Sequence, residues 1–257
     1  MLIINADDFG INGSTNFAIV KGFETGCCSS TTLMANMPGF EEACSLAHER
    51  RLLKHIGVHI VLSDGMPLTE PIKRLSRFCD REGHLALPSF PPLYRIETSE
   101  KRALADEIRA QIGRCWASGI PLTHIDSHYH THNQWPILGV VIAVAQSERI
   151  PYVRIARNCG PGINLLKQLY KTLVNRRITD AGLSRTEYFG GVDDYTHWKT
   201  SGGSTQGRQS FEVMIHPVLH ERGYVTDLVD NRPLETVIKA VESHGDAVSF
   251  SAARYRA

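Results

Sequence analysis

The sequence predicts an α/β fold, a mostly parallel sheet with helices outside it, closed as a barrel or left open and doubly wound. Three observations carry this. Short runs rich in β-branched residues alternate with amphipathic stretches. Polar residues gather where the apolar runs end, the place at which such sheets carry their sites. A chain of 257 residues with 42% hydrophobic content can also bury a core of that size.

Eight runs read as strands: Leu2 to Ala6, Ser29 to Met34, Ile56 to Leu62, Leu122 to Ser127, Tyr152 to Ala156, Glu187 to Val192, Phe211 to His216 and Ala247 to Ser251. Between them, Ser14 to Thr25 reads as a helix stopped by Gly26, and Ser99 to Ser118 as one stopped by Gly119. A further helix starts at Pro233, whose fixed φ suits a first helical position, and closes at Gly245. Two stretches interrupt the alternation. Residues 63–98 are punctuated by Gly65, Pro67, Pro71, Gly83, Pro88, Pro91 and Pro92, and residues 193–210 by Gly202, Gly203 and Gly207. Both read as loop excursions from a single domain spanning 1–257.

Composition narrows the function. Lys plus Arg number 28 against 27 Asp plus Glu, a net charge of +1 that gives no electrostatic case for nucleic acid or an anionic membrane. No run approaches the roughly 18 apolar residues of a membrane span. Met1 to Ile4 followed by Asp7-Asp8 has neither the basic start nor the apolar stretch of a leader, so a cytoplasmic protein is expected. The six cysteines lack C-x-x-C spacing, which argues against a zinc finger or a disulfide framework.

The chemistry concentrates at four strand ends. Leu2 to Ile4 runs into Asn5-Ala6-Asp7-Asp8-Phe9-Gly10. One carboxylate there could cap the following helix, but two side by side are better explained if one binds a cation and the other handles protons. His59 interrupts the apolar run Ile56 to Leu62, where an imidazole needs a partner, as a bonded core histidine or as a ligand. In Thr123-His124-Ile125-Asp126-Ser127-His128-Tyr129-His130-Thr131-His132, residues two apart share a face of an extended chain. His128, His130 and His132 are therefore expected to project toward one mouth, with imidazole the usual ligand for zinc-like ions. Asp126 reads as the carboxylate that orients a ligating histidine, or as a turn cap. His216 sits before Pro217, which keeps it extended at a strand tip. His48, His55, His84, His197, His220 and His244 read as solvated or structural. Neither a phosphate-cradling Gly-rich loop nor a Gly-x-Ser-x-Gly elbow is present.

In order along the chain, Asn5-Ala6-Asp7-Asp8-Phe9-Gly10, Ser30-Thr31-Thr32-Leu33-Met34, Gly57-Val58-His59, Gly65-Met66-Pro67-Leu68-Thr69 and the His124 to His132 segment resemble the YdjC-type carbohydrate deacetylases, which include chitooligosaccharide deacetylases. The likeness runs to about His132 and resumes at Met214-Ile215-His216-Pro217. It implies a distorted (β/α) TIM-like barrel with seven or eight mostly parallel strands, removing acetyl groups from N-acetylated sugars with one divalent metal ion, zinc or magnesium. Carried over residue by residue, it makes Asp8, His59 and His128 the metal ligands, Asp7 the general base and His216 the acid. The chain departs from the family pattern between Val192 and Gln209, and Val218 follows His216-Pro217 where a glycine is common. Those departures bear on the substrate pocket more than on the metal site.

Tyr129, Trp135 and Tyr188 are candidates for stacking on a sugar ring, with core packing as the competing role for each. Arg154, at the end of the fifth run, is a candidate for holding a hydroxyl or carboxylate, and His132 is a further candidate substrate contact. The expected partner is an N-acetylated sugar, with neither nucleic acid nor membrane, and self-association in the family makes a homodimer the oligomeric expectation. The rival readings are another single-metal barrel hydrolase, an amidohydrolase or phosphoesterase, and a non-catalytic sugar-binding relative.

Overall fold

The computed structural model describes residues 1–88, 94–205, 209–229, 232–242 and 247–253. Seven strands, β1 (Leu2–Phe9), β2 (Ser30–Leu33), β3 (Ile56–Ile60), β4 (His124–Ser127), β5 (Tyr152–Val153), β6 (Tyr188–Gly190) and β7 (Phe211–Ile215), form one sheet in the order β5-β4-β3-β2-β1-β7-β6. Every neighbouring pair is parallel, and the sheet curls into a half-barrel, the distorted TIM-like form that the resemblance implies. A hairpin of β8 (Pro217–Leu219) and β9 (Val225–Asp227) follows β7. The helices are α1 (Gly13–Glu24), α2 (Phe40–Glu49), α3 (Glu70–Lys73), α4 (Thr98–Ala117), α5 (Trp135–Ser147), α6 (Leu165–Asp180), α7 (Val192–Thr200), α8 (Leu234–Glu242) and α9 (Phe250–Ala253). Among the described residues no helix is long and apolar enough to cross a membrane.

Strand residues alternate between two environments, as a pleat requires. Ile4, Ala6, Val58, Ile60, Ile125, Val153, Val213 and Ile215 are fully buried in the apolar core, together with helix residues such as Ile19, Ala43, Ile108 and Val141. Each such Val or Ile contributes about 1.5 to 3 kcal/mol by leaving water. The intervening positions, Asn5, Asp7, His59, His124, Asp126, Arg154 and Glu212, join one polar network inside the curl. Gly57 belongs to this inner face. A Cβ there would lie 2.5 Å from the His124 ring, so only glycine leaves the histidine room.

The two ends of the sheet, β5 and β6, meet through a partial seam. Tyr152 makes a single parallel bridge to Ser184, ahead of β6. Farther along, the Asn158 side chain stands in for ladder bonds, donating to the Glu187 carbonyl at 2.8 Å and accepting from the Phe189 N–H at 3.1 Å.

Helix punctuation follows the sequence. Asn12 caps α1 by accepting from the Thr15 N–H at 2.9 Å, and Gly26 takes φ +76° after its end. The helix predicted from Pro233 is α8, and its expected end at Gly245 lies outside the described residues.

Three expectations change. The eighth run, Ala247 to Ser251, is not a strand: Ala247 makes one bridge to Leu2, and α9 then carries Phe250 under the sheet, where it packs on Ile3, Tyr152 and the His124 ring. The excursion 63–98 contains α3, with 89–93 outside the described residues. The stretch 193–210 is largely helical as far as Thr200, because Val192, Tyr195 and Trp198 recur at three-residue spacing and the last two pack on Phe211 of β7; its residues 206–208 lie outside the described set.

Candidate active site

Neighbouring residues of a regular strand point to opposite faces, so Asp7 and Asp8 could not share a site in an ideal β1. The strand breaks its pairing with β2 between Ala6 and Phe9, and Asp8 sits at φ 72°. Aspartate is among the few non-glycine residues that tolerate this left-handed region. The irregularity turns the Asp8 carboxylate toward β3 while Asp7 keeps facing the interior.

On β3, His59 is 1% exposed and meets a carboxylate on each side of its ring. Its Nδ1 lies 2.7 Å from Asp126 Oδ1 and 3.0 Å from Thr32 Oγ1, and its Nε2 faces Asp8 Oδ1 at 3.3 Å. Thr32 Oγ1 donates to the second Asp126 oxygen at 3.0 Å. Burial alone would lower the His59 pKa, but Asp126, Asp8 and Asp7 outweigh it and carry the imidazole up to about 10. His128 follows β4 directly. Its Nδ1 is 3.0 Å from the same Asp8 oxygen, and its Nε2 lies 3.6 Å from Asp64 Oδ2. Burial would raise the Asp8 carboxyl, yet His128 and His59 hold it well below the carboxylate range.

Ligand atoms of Asp8, His59 and His128 lie within 4.8 Å of one another, and the donor set fits a divalent ion. Asp8 Oδ1 is buried without a hydrogen bond of acceptable geometry, although two ring nitrogens approach it. The Asp126 contact to Nδ1 directs Nε2 of His59 at Asp8, the arrangement by which a carboxylate orients a ligating histidine. A second buried group, Asp7, His59 and Asp126, fits less well because both its carboxylates already bind Arg154. The remaining cluster among the described residues, Asp80, Glu82 and His84, is exposed.

Arg154 organises the interior. Its guanidinium grips Asp7 through two nitrogens at 2.6 and 2.7 Å, Asp126 at 2.7 Å and Glu212 Oε1 at 2.6 Å, and lies over the Phe189 ring. Burial would raise the Asp7 carboxyl, but Arg154 holds it far below its ordinary value. Glu212 goes the other way. Burial, with Asp126 and Asp7 nearby, pushes it up to about 7 against the pull of Arg154, and its Oε2 has no hydrogen bond.

The predicted substrate contacts divide. A cleft of about 850 Å³ is lined by Tyr129, His130, Asn133, Phe189, Met214 and His216 among others, and Tyr129 is exposed there. Arg154 is not on that surface: 1% exposed, it is spent on three carboxylates. His132 is also sealed, bonded to Ser127 Oγ at 2.6 Å and facing the Arg154 carbonyl at 3.1 Å. Trp135 stacks under Arg177 in a separate groove, and Tyr188 packs on Trp198 and Phe211.

The three histidines after Ser127 do not share a mouth. The chain leaves β4 in a tight turn with Tyr129 and His130 at φ 49° and 54°, which sends His128 to Asp8, His130 to Phe189 and His132 inward. Burial lowers the His130 pKa to about 3, leaving the ring neutral. Glu212 and Asp64 were not anticipated. Glu212 had a signal, a carboxylate in an apolar run two and four residues before Met214 and His216, on the same strand face.

The sequence profile of the YdjC-like protein family matches residues 1–244. A carbohydrate deacetylase of Halalkalibacterium halodurans is 31% identical over 216 residues, covering 84% of each chain. A chitooligosaccharide deacetylase of Proteus mirabilis is 33% identical over 225 residues, 84% of this chain and 81% of that one. The match to a carbohydrate deacetylase of Brevibacillus brevis, 40% over 150 residues, spans 58% of this chain and 57% of that relative. Among solved structures, an Enterococcus faecalis protein proposed to cleave cellobiose phosphate superposes with a TM-score of 0.72 at 22% identity, covering 98% of both chains. A lactam utilization protein from Thermus thermophilus has a TM-score of 0.52 at 13% identity, with 96% of this chain and 98% of that one covered. These two speak to the fold alone. With a profile match over nearly its whole length and relatives above 30% identity across most of theirs, the chain belongs to the YdjC-like protein family.

Proposed function

We propose that this protein is a carbohydrate N-deacetylase, hydrolysing the acetamide of an N-acetylated sugar to acetate and a free amine, with one divalent ion held by Asp8, His59 and His128. The observation that carries the reading is the buried Asp8 oxygen faced by two imidazole nitrogens and left without a sound hydrogen bond. The names of the deacetylase relatives supply the substrate class. A divalent ion bound there supplies a polarised carbonyl and a water of lowered pKa. Two imidazoles with one carboxylate suit zinc better than magnesium, which prefers an all-oxygen shell.

The chain's own groups do the rest. Arg154 keeps Asp7 ionised, so this carboxylate is ready to accept the proton of the attacking water at any ordinary pH. Asp126 and Glu212 share the same guanidinium, which limits how far Arg154 quenches the basicity of Asp7. His216, lining the cleft beyond the end of β7, is the donor to the departing amine nitrogen. Its backbone is tied down by an N–H bond to Asp227 Oδ2 at 2.7 Å.

The test is acetate release from a panel of N-acetylated mono- and oligosaccharides, before and after chelation and metal restoration. Release that disappears on chelation and returns with metal is expected. A metal-loaded protein that releases no acetate from any of them overturns the reading.

A further inference from the structure

Helix α6 is apolar on two sides. Val174 and Ile178 are buried in the core. Leu165, Leu169 and Leu173 recur every four residues on another face, 82%, 60% and 46% exposed, with Leu166 beside them at 80%. A helix with two apolar faces needs two partners, and the described residues provide one. The same helix carries Lys167, Lys171, Arg176 and Arg177 against a single acid, Asp180.

This surface adjoins the candidate active site. Leu166, Lys167, Tyr170 and Lys171 line the cleft that contains His216. Val229 lines it as well, and with Leu228 it leaves a second aliphatic pair exposed at 79% and 63%. The cleft is thus lined by solvent-facing aliphatic side chains and by Lys167 and Lys171 of α6, with Asp193 and Asp194 of α7 in the same lining.

We infer that α6 and Leu228-Val229 seat the cleft mouth on an anionic lipid surface. Leucines beside lysines on a helix with one acid are the pattern that lies in the headgroup region, apolar chains inserted and cations among the phosphates. A second copy of the chain is a poorer occupant. A two-fold pairing of α6 centred on Leu169 would set Lys167 of one copy against Lys171 of the other, like charges facing across the contact. The contact is peripheral and needs no membrane-spanning helix.

Co-sedimentation with vesicles of phosphatidylcholine, with and without phosphatidylglycerol, is the test. The protein is expected to bind the anionic vesicles and to be released by high salt. The triple variant Leu165→Ser, Leu169→Ser, Leu173→Ser, none of whose positions lines the cleft, should partition at least about tenfold less. It should still turn over a soluble N-acetylated sugar normally. Wild-type and triple variant binding equally, or neither binding, overturns the docking surface. So does a lipid-free sedimentation-velocity result in which the wild type is a dimer and the triple variant a monomer, since the leucines would then face a second copy. Acetate release from soluble sugar without vesicle binding defeats the docking surface alone. Vesicle binding without acetate from any N-acetylated sugar leaves the docking surface standing and defeats the deacetylase reading alone.

Discussion

Asp8, His59, Asp126 and Arg154 stand at strand ends, none more than 8% exposed, whereas Leu166 and Val229 on the cleft rim are each at least 79% exposed. The floor of the site is held by the sheet register and by charges that fix one another. The rim is held by a helix and a loop whose outward side chains touch little protein. Buried groups that each satisfy two or three partners tolerate almost no change, while rim residues can vary with the substrate. Substitutions should therefore separate the two regions sharply.

The largest effect is expected at the base. Asp7→Asn keeps the Asp8, His59 and His128 group intact, so bound metal should be retained while kcat falls by about 10² to 10⁴. Unchanged turnover would remove Asp7 from the role. His59→Ala should instead lose the metal itself, measured by metal content after dialysis. Next is Arg154→Met, which leaves Asp7, Asp126 and Glu212 facing one another without their shared cation. A loss of about 3 to 5 kcal/mol in urea unfolding is expected. A loss under about 1 kcal/mol would show that the network is not what holds the floor.

Glu212 gives a smaller, pH-dependent effect. Burial raises its folded pKa to about 7, above the ordinary 4.5. The folded protein then binds more protons than the unfolded chain between those values, and the contribution of this carboxyl to stability falls as pH rises through that window. Relative to wild type, Glu212→Gln should gain on the order of 1 to 3 kcal/mol between pH 5 and pH 8. A difference that does not change with pH would contradict the shift. The smallest effect belongs to the rim. Tyr129→Ala should raise KM for an oligosaccharide by less than about tenfold, with kcat and bound metal unchanged. A loss of metal there would place Tyr129 with the floor.

The same division decides what could be read from sequence. His59 announced itself because an imidazole in an apolar strand needs a partner, and the inward alternation of β3 supplies one in Asp126. The Asp7-Asp8 pair needed only its place at a strand end to be read as a cation and proton site, and the family resemblance made Asp8 the ligand; the φ of 72° that aims it is not written in any propensity. Alternation misled for His130 and His132, because the chain stops being extended at Tyr129. Arg154 was expected to hold a hydroxyl or carboxylate of the substrate, yet it shares parity with the inward Tyr152, and counting by two would have placed it inside. The fold class and most of the strands were legible from β-branched runs. Helices α5 and α6 carry readable punctuation too, Pro136 in the first turn of α5, and Asn164 before and Gly182 after α6. A net charge of +1 averaged away the cationic cluster on α6, which exists only once the chain is coiled.

The account stands on one ion at Asp8, His59 and His128. Zinc titrated into chelated protein, with acetate release from an N-acetylated sugar followed at each addition, tests it most directly. Activity should rise from nothing and saturate at one ion per chain. Full release from protein shown to contain no metal would contradict the account.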